Sequence, residues 1–254
     1  VEWMINKEKM VGQPRMFFRQ GISGATDPET RLRDDPMVWR RNKLTSGGNG
    51  IIDGGVHYVD LLIYFFGEPD EIYARVDNLS QFQFLDAEKN CVAQTVEDTA
   101  LATITFENGV MGQWVSTSAA PGRGMSYNSY HGSLGSIYSG GGYPQEPELQ
   151  LWDGSKRQKE DLQRAYLESL SPEEKERLFP HSITEGVALE VYDFLDAVRH
   201  RRRPELDGVD GLKAQAVCNA IYESGWCGES VKFEDVYQDR VSGYQEEINE
   251  KWQI

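Results

Sequence analysis

Asp53 and His57 stand four residues apart in the stretch Ser46-Gly47-Gly48-Asn49-Gly50-Ile51-Ile52-Asp53-Gly54-Gly55-Val56-His57-Tyr58-Val59-Asp60-Leu61-Leu62. If a helix begins around Gly54, both side chains lie on one side of its first turn, within hydrogen-bond reach of each other. A carboxylate so placed can hold the imidazole in one orientation and tautomer. The helix N-terminus disfavours the charged ring, which leaves His57 able to accept a proton. The five glycines of the stretch admit a ligand close to the backbone. Spacing alone does not separate this acid–base pair from an Asp53 that caps the helix beside a structural His57.

The elements that must position the pair follow from periodicity and punctuation. Val56 to Phe66 reads as a helix with Val59, Leu62, Ile63 and Phe66 toward a core, stopped by Gly67 and Pro69. Residues Val1 to Met10 form a short amphipathic helix that starts without a cap, and Arg15 to Arg19 a strand. Gly21 to Ser46 is expected to be irregular, apart from Met37-Val38-Trp39. Strands are expected over Glu71 to Asp77, Thr99 to Phe106 and Val110 to Ser116, the last two joined by the hairpin signal Asn108-Gly109. Shorter strands over Tyr127 to His131, Ser136 to Tyr138 and Glu148 to Trp152 follow, with a loop over Gly140 to Pro147. From Lys159 onward helix formers take over. Ser171-Pro172-Glu173-Glu174 is an N-cap, a proline at the first helical position and two acids in the first turn. Thr184 to His200 is amphipathic through Val187, Val191, Phe194, Leu195 and Val198, and Val209 to Ser224 through Leu212, Ala216, Ala220 and Ile221. Consecutive strands flanked by helices predict an α+β fold, an open and mainly antiparallel β-sheet with helices on one face.

Length and charge bound the function. The 254 residues suffice for one sizeable core, and a net charge of −15 repels nucleic acid and anionic membranes. Cys91, Cys218 and Cys227 are too widely spaced for a disulfide framework or a zinc site, so no metal is expected and a reducing, cytoplasmic setting fits. No apolar run reaches the roughly 20 residues of a membrane span. The sequence contains no G-x-G-x-x-G dinucleotide fingerprint.

The string Gly47-Gly48-Asn49-Gly50-Ile51-Ile52-Asp53-Gly54-Gly55-Val56-His57-Tyr58-Val59-Asp60 closely resembles the signature of the Gfo/Idh/MocA oxidoreductases, in which glycines, an Asp, a His and a final Asp open a helix. Trp39-Arg40 resembles that family's Trp-Arg element, and Val96-Glu97-Asp98-Thr99-Ala100 with Thr105 to Gly109 its sheet. Gly132-Ser133-Leu134-Gly135-Ser136-Ile137 resembles its Gly-Ser-x-Gly turn, and Phe194 to Val198 through Leu212 its closing helices. The resemblance runs from Val1 to about Asp235 and concerns the family's C-terminal domain.

What the resemblance implies is the substrate-binding and catalytic half of an NAD(P)-dependent oxidoreductase acting on a hydroxyl of a sugar, glycoside or polyol. His57 would be the general base and Asp53 its partner, with Asp60 and His131 as substrate-binding candidates. Trp39 and Arg40 would reach the cofactor, NAD or NADP. The family's Rossmann domain is absent here, as is its Glu-Lys-Pro motif. Glu8-Lys9-Met10 and Glu88-Lys89-Asn90 do not match that motif. Residues 1–254 are therefore expected to form a single α+β domain, with residues 1–12 a connecting helix from a missing N-terminal Rossmann domain, and the chain alone to be inactive. A homo-oligomer through the sheet face is expected. Two alternatives stand beside this reading: a non-catalytic oligomerisation or carbohydrate-binding module, and an offshoot that cleaves glycosides.

Overall fold

Residues 1–24, 32–140 and 146–254 are described by the computed structural model. A short helical turn, Trp3–Lys7, buries Met4 and Ile5 and leads into β1 (Pro14–Ile22). The described part of the stretch expected to be irregular contains β2 (Leu32–Asp34), a 3-10 turn (Val38–Arg41) and α1 (Lys43–Ser46). The parts of that stretch and of the Gly140 to Pro147 loop at 25–31 and 141–145 lie outside the described residues. Helices α2 (Gly50–Asp53) and α3 (Gly55–Phe66) follow, then β3 (Pro69–Asp77), β4 (Gln83–Leu85), β5 (Cys91–Ala93), β6 (Thr99–Phe106) and β7 (Met111–Thr117). Next come β8 (Met125–Gly132), β9 (Gly135–Gly140), β10 (Glu148–Leu151) and β11 (Lys156–Arg157). The C-terminal part holds α4 (Lys159–Ser169), α5 (Pro172–Leu178), α6 (Gly186–His200) and α7 (Gly208–Cys227), then β12 (Val231–Lys232), α8 (Phe233–Tyr237) and α9 (Glu246–Trp252).

Nine strands form one open sheet in the order β11-β10-β9-β8-β1-β7-β6-β3-β12, and β2, β4 and β5 form a second, small one. Among the described residues of the large sheet only the β1–β7 pair is parallel, so the sheet is mainly antiparallel. The hairpin between β6 and β7 turns where Asn108-Gly109 predicted. Gly109 takes the left-handed φ of +85°, and the Asn108 side chain caps both the turn and the end of α3 by donating to the Phe66 carbonyl at 2.8 Å.

Side-chain alternation sorts the sheet into two unlike faces. Phe17, Ile72, Ala74, Ala102, Ile104, Trp114 and Tyr130 point to one side and are buried, and helices α3 and α7 cover them. Phe66 of α3 stacks at 5.9 Å on Phe17, and Phe65 meets Tyr130 edge-on at 5.4 Å. Alanines on both partners let α7 lie close to the sheet, and Ser224 accepts a hydrogen bond from the Ala74 N–H at 2.8 Å. On the other side Met16, Tyr73, Leu101 and Met111 are 40–50% exposed.

Helix α3 runs from Gly55 rather than Val56 and ends at Gly67, whose φ is +84°. The N-terminal end of α3 touches the sheet directly. A Cβ on Gly55 would stand 2.2 Å from the Trp114 ring, and the same ring meets Tyr58 edge-on at 5.5 Å. At α5 the expected cap is a full capping box, with Ser171 and Glu174 each bonded to the other's backbone N–H.

Helix α6 departs from what its pattern suggests. It forms, with Glu185 as its N-cap, but Val187, Val191, Phe194, Leu195 and Val198 are each more than half exposed. Helices α3 and α7 already occupy the sheet's buried side, so α6 lies outside that layer and its apolar stripe stays outward. No helix among the described residues is long and apolar enough to cross a membrane.

The close approach at Gly55 gives a direct check. Gly55→Ala should destabilise the chain by about 1–3 kcal/mol through overpacking against Trp114. This should read as a lower urea midpoint at unchanged m-value. An unchanged midpoint would mean that α3 does not press on that ring.

Candidate active site

The glycine-rich stretch is held from below by one buried carboxylate. Glu97, at the turn before β6, is 7% exposed. Its Oε2 accepts the Asn49 N–H at 2.9 Å, and its Oε1 accepts the Ile51 N–H at 3.1 Å and the Tyr222 hydroxyl at 2.9 Å. The Asn49 side chain donates to the Glu97 carbonyl at 2.9 Å. Tyr222 stacks on Tyr244 with centroids 4.7 Å apart, and Tyr244 donates to the Gly47 carbonyl at 3.0 Å. Glycine is required at two points here: Gly47 closes α1 at φ +76°, and a Cβ on Gly48 would stand 2.1 Å from the Tyr222 hydroxyl. Burial raises the Glu97 pKa, and its three donors oppose that shift.

This anchor sets the path of α2 and α3 and with it the acid–base candidates. Asp53 ends α2, and Gly54 separates it from α3. The N-terminus of α3 has no side-chain cap, so Asp53 is not capping it. The Asp53 carboxylate instead accepts from Arg40 at 3.0 Å, an exposed pair of small energetic weight. Arg40 also lies 5.6 Å from the ring of Trp39, which is 53% exposed. The two cofactor candidates and Asp53 thus form one cluster.

His57 is exposed and makes no side-chain hydrogen bond among the described residues, neither to Asp53 nor to any other group. It is therefore not a histidine whose ring the fold has satisfied. Asp60, one turn along α3, is half-buried. Burial raises its pKa, Asp210 at the start of α7 adds to the rise, and His57 lowers it. Asp60 is thus a carboxylate that feels the His57 imidazole.

His131 is not part of this group. It lies on the sheet face turned away from α3, its Nε2 2.9 Å from the Ser129 hydroxyl and its ring edge-on to Phe18 and Tyr138. Partial burial lowers its pKa.

A cavity of about 570 Å³ opens at the end of the sheet on the α3 side, lined among others by Gly21, Asn49, Glu97, Thr99, Ser116 and Ser126. Asp53 and His57 are not in its wall. They follow Asn49, Gly50 and Ile51, which are in it, along the same stretch of chain. The lining is rich in hydroxyls, and the Glu97 and Asp98 carboxylates have their oxygens engaged, Asp98 by the Leu79 and Ser80 N–H groups and the Thr99 hydroxyl. Such a wall suits a small polyhydroxylated ligand by hydrogen bonding.

Sequence reasoning missed Glu97, Tyr222 and the cavity-lining serines as site residues. The available signal for Glu97 was a carboxylate between the apolar Val96 and a strand, a poor place for an unpaired charge.

The sequence model described as the oxidoreductase family, C-terminal alpha/beta domain, matches residues 7–233. D-glucoside 3-dehydrogenase of Escherichia coli (strain K12) is 33% identical over 87 residues, 31% of this chain and 24% of that protein. The oxidoreductase domain protein of Kribbella flavida superposes with a TM-score of 0.69 at 20% identity, over 91% of this chain and 62% of that one. Levoglucosan dehydrogenase, solved with NADH and L-sorbose, gives 0.69 at 21% identity, over 91% and 61%. The aldose-aldose oxidoreductase of Caulobacter crescentus, solved with glycerol, gives 0.64 at 20%, over 91% and 59%. At these identities the structural likeness is one of fold. The chain spans about three fifths of these solved chains and a quarter of the curated relative.

The Glu97 anchor predicts a pH signature. With its native pKa raised above the ordinary 4.5, Glu97 is protonated more readily in the native state than in the unfolded one. Its contribution is most favourable below 4.5 and is lost as pH rises through the raised value. Glu97→Gln should flatten that part of the stability–pH curve and, by turning an amide N–H₂ toward a donor, speed hydrogen exchange at the Asn49 and Ile51 amides. Unchanged exchange at both would remove Glu97 as the anchor.

Proposed function

The chain belongs to the Gfo/Idh/MocA oxidoreductase family, as its C-terminal alpha/beta domain, and from that premise we propose that it forms the substrate side of an NAD(P)-dependent dehydrogenase acting on a sugar, glycoside or polyol hydroxyl. The observation that carries this reading is the solvent-exposed His57 at the head of α3, free of protein hydrogen bonds among the described residues and carried by the same stretch as the Arg40-paired Asp53 and the Asn49, Gly50 and Ile51 wall of a hydroxyl-lined cavity. The relatives named for D-glucoside and levoglucosan oxidation support the substrate class.

The cofactor fits this chain only along an edge. The exposed Trp39 indole and the Arg40 guanidinium suit contact with a nicotinamide or a phosphate, and the sequence has no dinucleotide fingerprint to cradle a pyrophosphate. A further, dinucleotide-binding domain would hold the rest. The nicotinamide, when bound, supplies the hydride acceptor.

The chain's own residues handle the proton and the hydroxyls. As the substrate carbon loses its hydride and its C–O bond becomes a carbonyl, the hydroxyl proton passes to His57. Asp60 lies close enough to stabilise the imidazolium that results. Asp53, paired with Arg40 and more than half exposed, accepts from a neighbouring substrate hydroxyl. The asparagine and serine groups of the cavity fix the remainder of the ring.

The open sheet face is the proposed self-association surface, because Met16, Tyr73, Leu101 and Met111 project from it.

In the chain joined to a relative's dinucleotide-binding domain, His57→Ala is expected to lower kcat/KM on a glycoside by about 10²–10⁴-fold. Asp53→Asn should also lower it, and near-normal turnover in both variants would sink the acid–base assignment. Sedimentation should show a dimer that Leu101→Lys with Met111→Lys converts to monomer; a dimer that survives both would place the interface elsewhere.

A further inference from the structure

Residues 241–252 reach back across the molecule to the glycine-rich stretch. The family match ends at residue 233, so they lie past the matched part of the chain. Their path is fixed first against α7. The buried Glu223 carboxylate accepts the Tyr244 N–H at 2.8 Å, and a Cβ on Gly243 would stand 2.5 Å from the Trp226 ring. From there Tyr244 lays its ring on Tyr222 and donates its hydroxyl to the Gly47 carbonyl at 3.0 Å. Lys43 of α1 lies 4.1 Å from the Tyr244 ring centroid and pairs with Glu247 of α9 at 3.2 Å. At the end of α9 the Trp252 indole N–H donates to the Leu44 carbonyl at 2.6 Å.

These contacts are directional rather than space-filling. Trp252 is 55% exposed, so its ring buries little, and its N–H is the main thing it brings to the protein. Helix α1 is a single turn, and a helix so short leaves most of its carbonyls without donors of its own. Trp252 and Tyr244 supply donors at Leu44 and at the C-cap Gly47. Helix α9, at seven residues, is itself too short to persist unaided, so each segment orders the other. What moves with α1 is the candidate site. The Thr45 and Ser46 hydroxyls donate to the Trp39 and Arg40 carbonyls, which ties the cofactor candidates to the turn. Past Gly47 the chain runs into Asn49 and Gly50 of the cavity wall. Glu97 holds the stretch at Asn49 and Ile51, and Thr95 accepts the Lys43 N–H at 2.9 Å. The carbonyls between those anchors, of Leu44 and Gly47, are held by residues 241–252.

We propose that residues 241–252 are a brace that positions the cofactor edge and the cavity wall together, with Trp252 and Tyr244 as its positioning residues. Trp252 acts on Trp39 and Arg40 through α1, and Tyr244 acts on Asn49 through Gly47. The inference rests on the reading of Trp39 and Arg40 as the cofactor edge and adds the part of the chain that holds it in place.

The test has two arms and uses conservative variants that keep the rings. Tyr244→Phe retains the stack on Tyr222 and loses the donation to Gly47; Trp252→Phe retains an aromatic ring and loses the donation to Leu44. In the chain as it stands, hydrogen exchange at the Gly47 and Asn49 amides should quicken about fivefold in Tyr244→Phe, and at the Ser46 and Gly47 amides by a similar factor in Trp252→Phe. The Ala74 amide, bonded to Ser224 in the core, should keep its rate in both. Unchanged exchange over residues 46–49, or an Ala74 amide that quickens equally, overturns the brace, the second because it would mark a general loss of stability. In the chain joined to a relative's dinucleotide-binding domain, Trp252→Phe should raise KM for the dinucleotide roughly three- to tenfold while kcat and the pH profile of turnover stay as they were. A fall in kcat at unchanged KM, or no kinetic change beside quickened exchange, overturns the link to the cofactor edge. An unsubstituted fusion without turnover counts against the dehydrogenase reading and not against the brace, which the exchange rates decide alone.

Discussion

One carboxylate decides where the candidate active site can be. Glu97 is buried, and the donors it accepts come from two separate parts of the chain, the N-terminal end of α2 with its cap residue and the long helix α7. A carboxylate out of water is costly unless donors meet its oxygens, and here the Asn49 and Ile51 amides and a tyrosine hydroxyl do so. The glycines of the loop follow from that demand. A side chain on Gly48 would collide with the hydroxyl that Glu97 needs, so the backbone itself has to come down to the acid. Once it does, α2 starts at Gly50, α3 starts at Gly55 against Trp114, and His57 is delivered to solvent at the head of α3.

The polar groups are divided into a supporting tier and a working tier by whether the fold satisfies them. Glu97, Asp98, Tyr222 and Asn49 have their partners inside the protein and are fixed by them. His57 has no protein partner among the described residues and stands in water. Groups of the first kind hold geometry, and groups of the second kind have capacity left for something else. Asp53 stands between the two, since its pair with Arg40 is exposed and can be exchanged for a ligand hydroxyl at little loss.

Much of this was legible from the residues, and the gaps have physical reasons. The β6–β7 hairpin could be read because Asn108-Gly109 is a local signal that needs no tertiary information. Helix α3 could be read because its apolar spacing and its glycine stop agree. The resemblance located the acid–base candidates, but not how they relate, because the break at Gly54 and the pull of Arg40 on Asp53 are not written in a four-residue spacing. Glu97 went unrecognised because its partners come from residues 49, 51 and 222, and no local pattern reports a contact across such a separation. His131 was drawn toward the site because alternation along β8 says which residues share a face without saying which face α3 covers. Periodicity likewise identified α6 as amphipathic without revealing that α3 and α7 already fill the layer on the sheet's buried side.

That outward stripe on α6 has a colloidal consequence. Leu206, Val209 and Leu212, on and before the first turns of α7, are also more than half exposed, so the molecule carries a greasy surface on a strongly acidic body. At low ionic strength the charge of −15 holds such surfaces apart. At physiological salt the field decays within about 8 Å, and the stripes of two molecules can then approach without opposition. The expected consequence is contact between these stripes that strengthens as salt is added, the reverse of what salt does to ion-paired contacts.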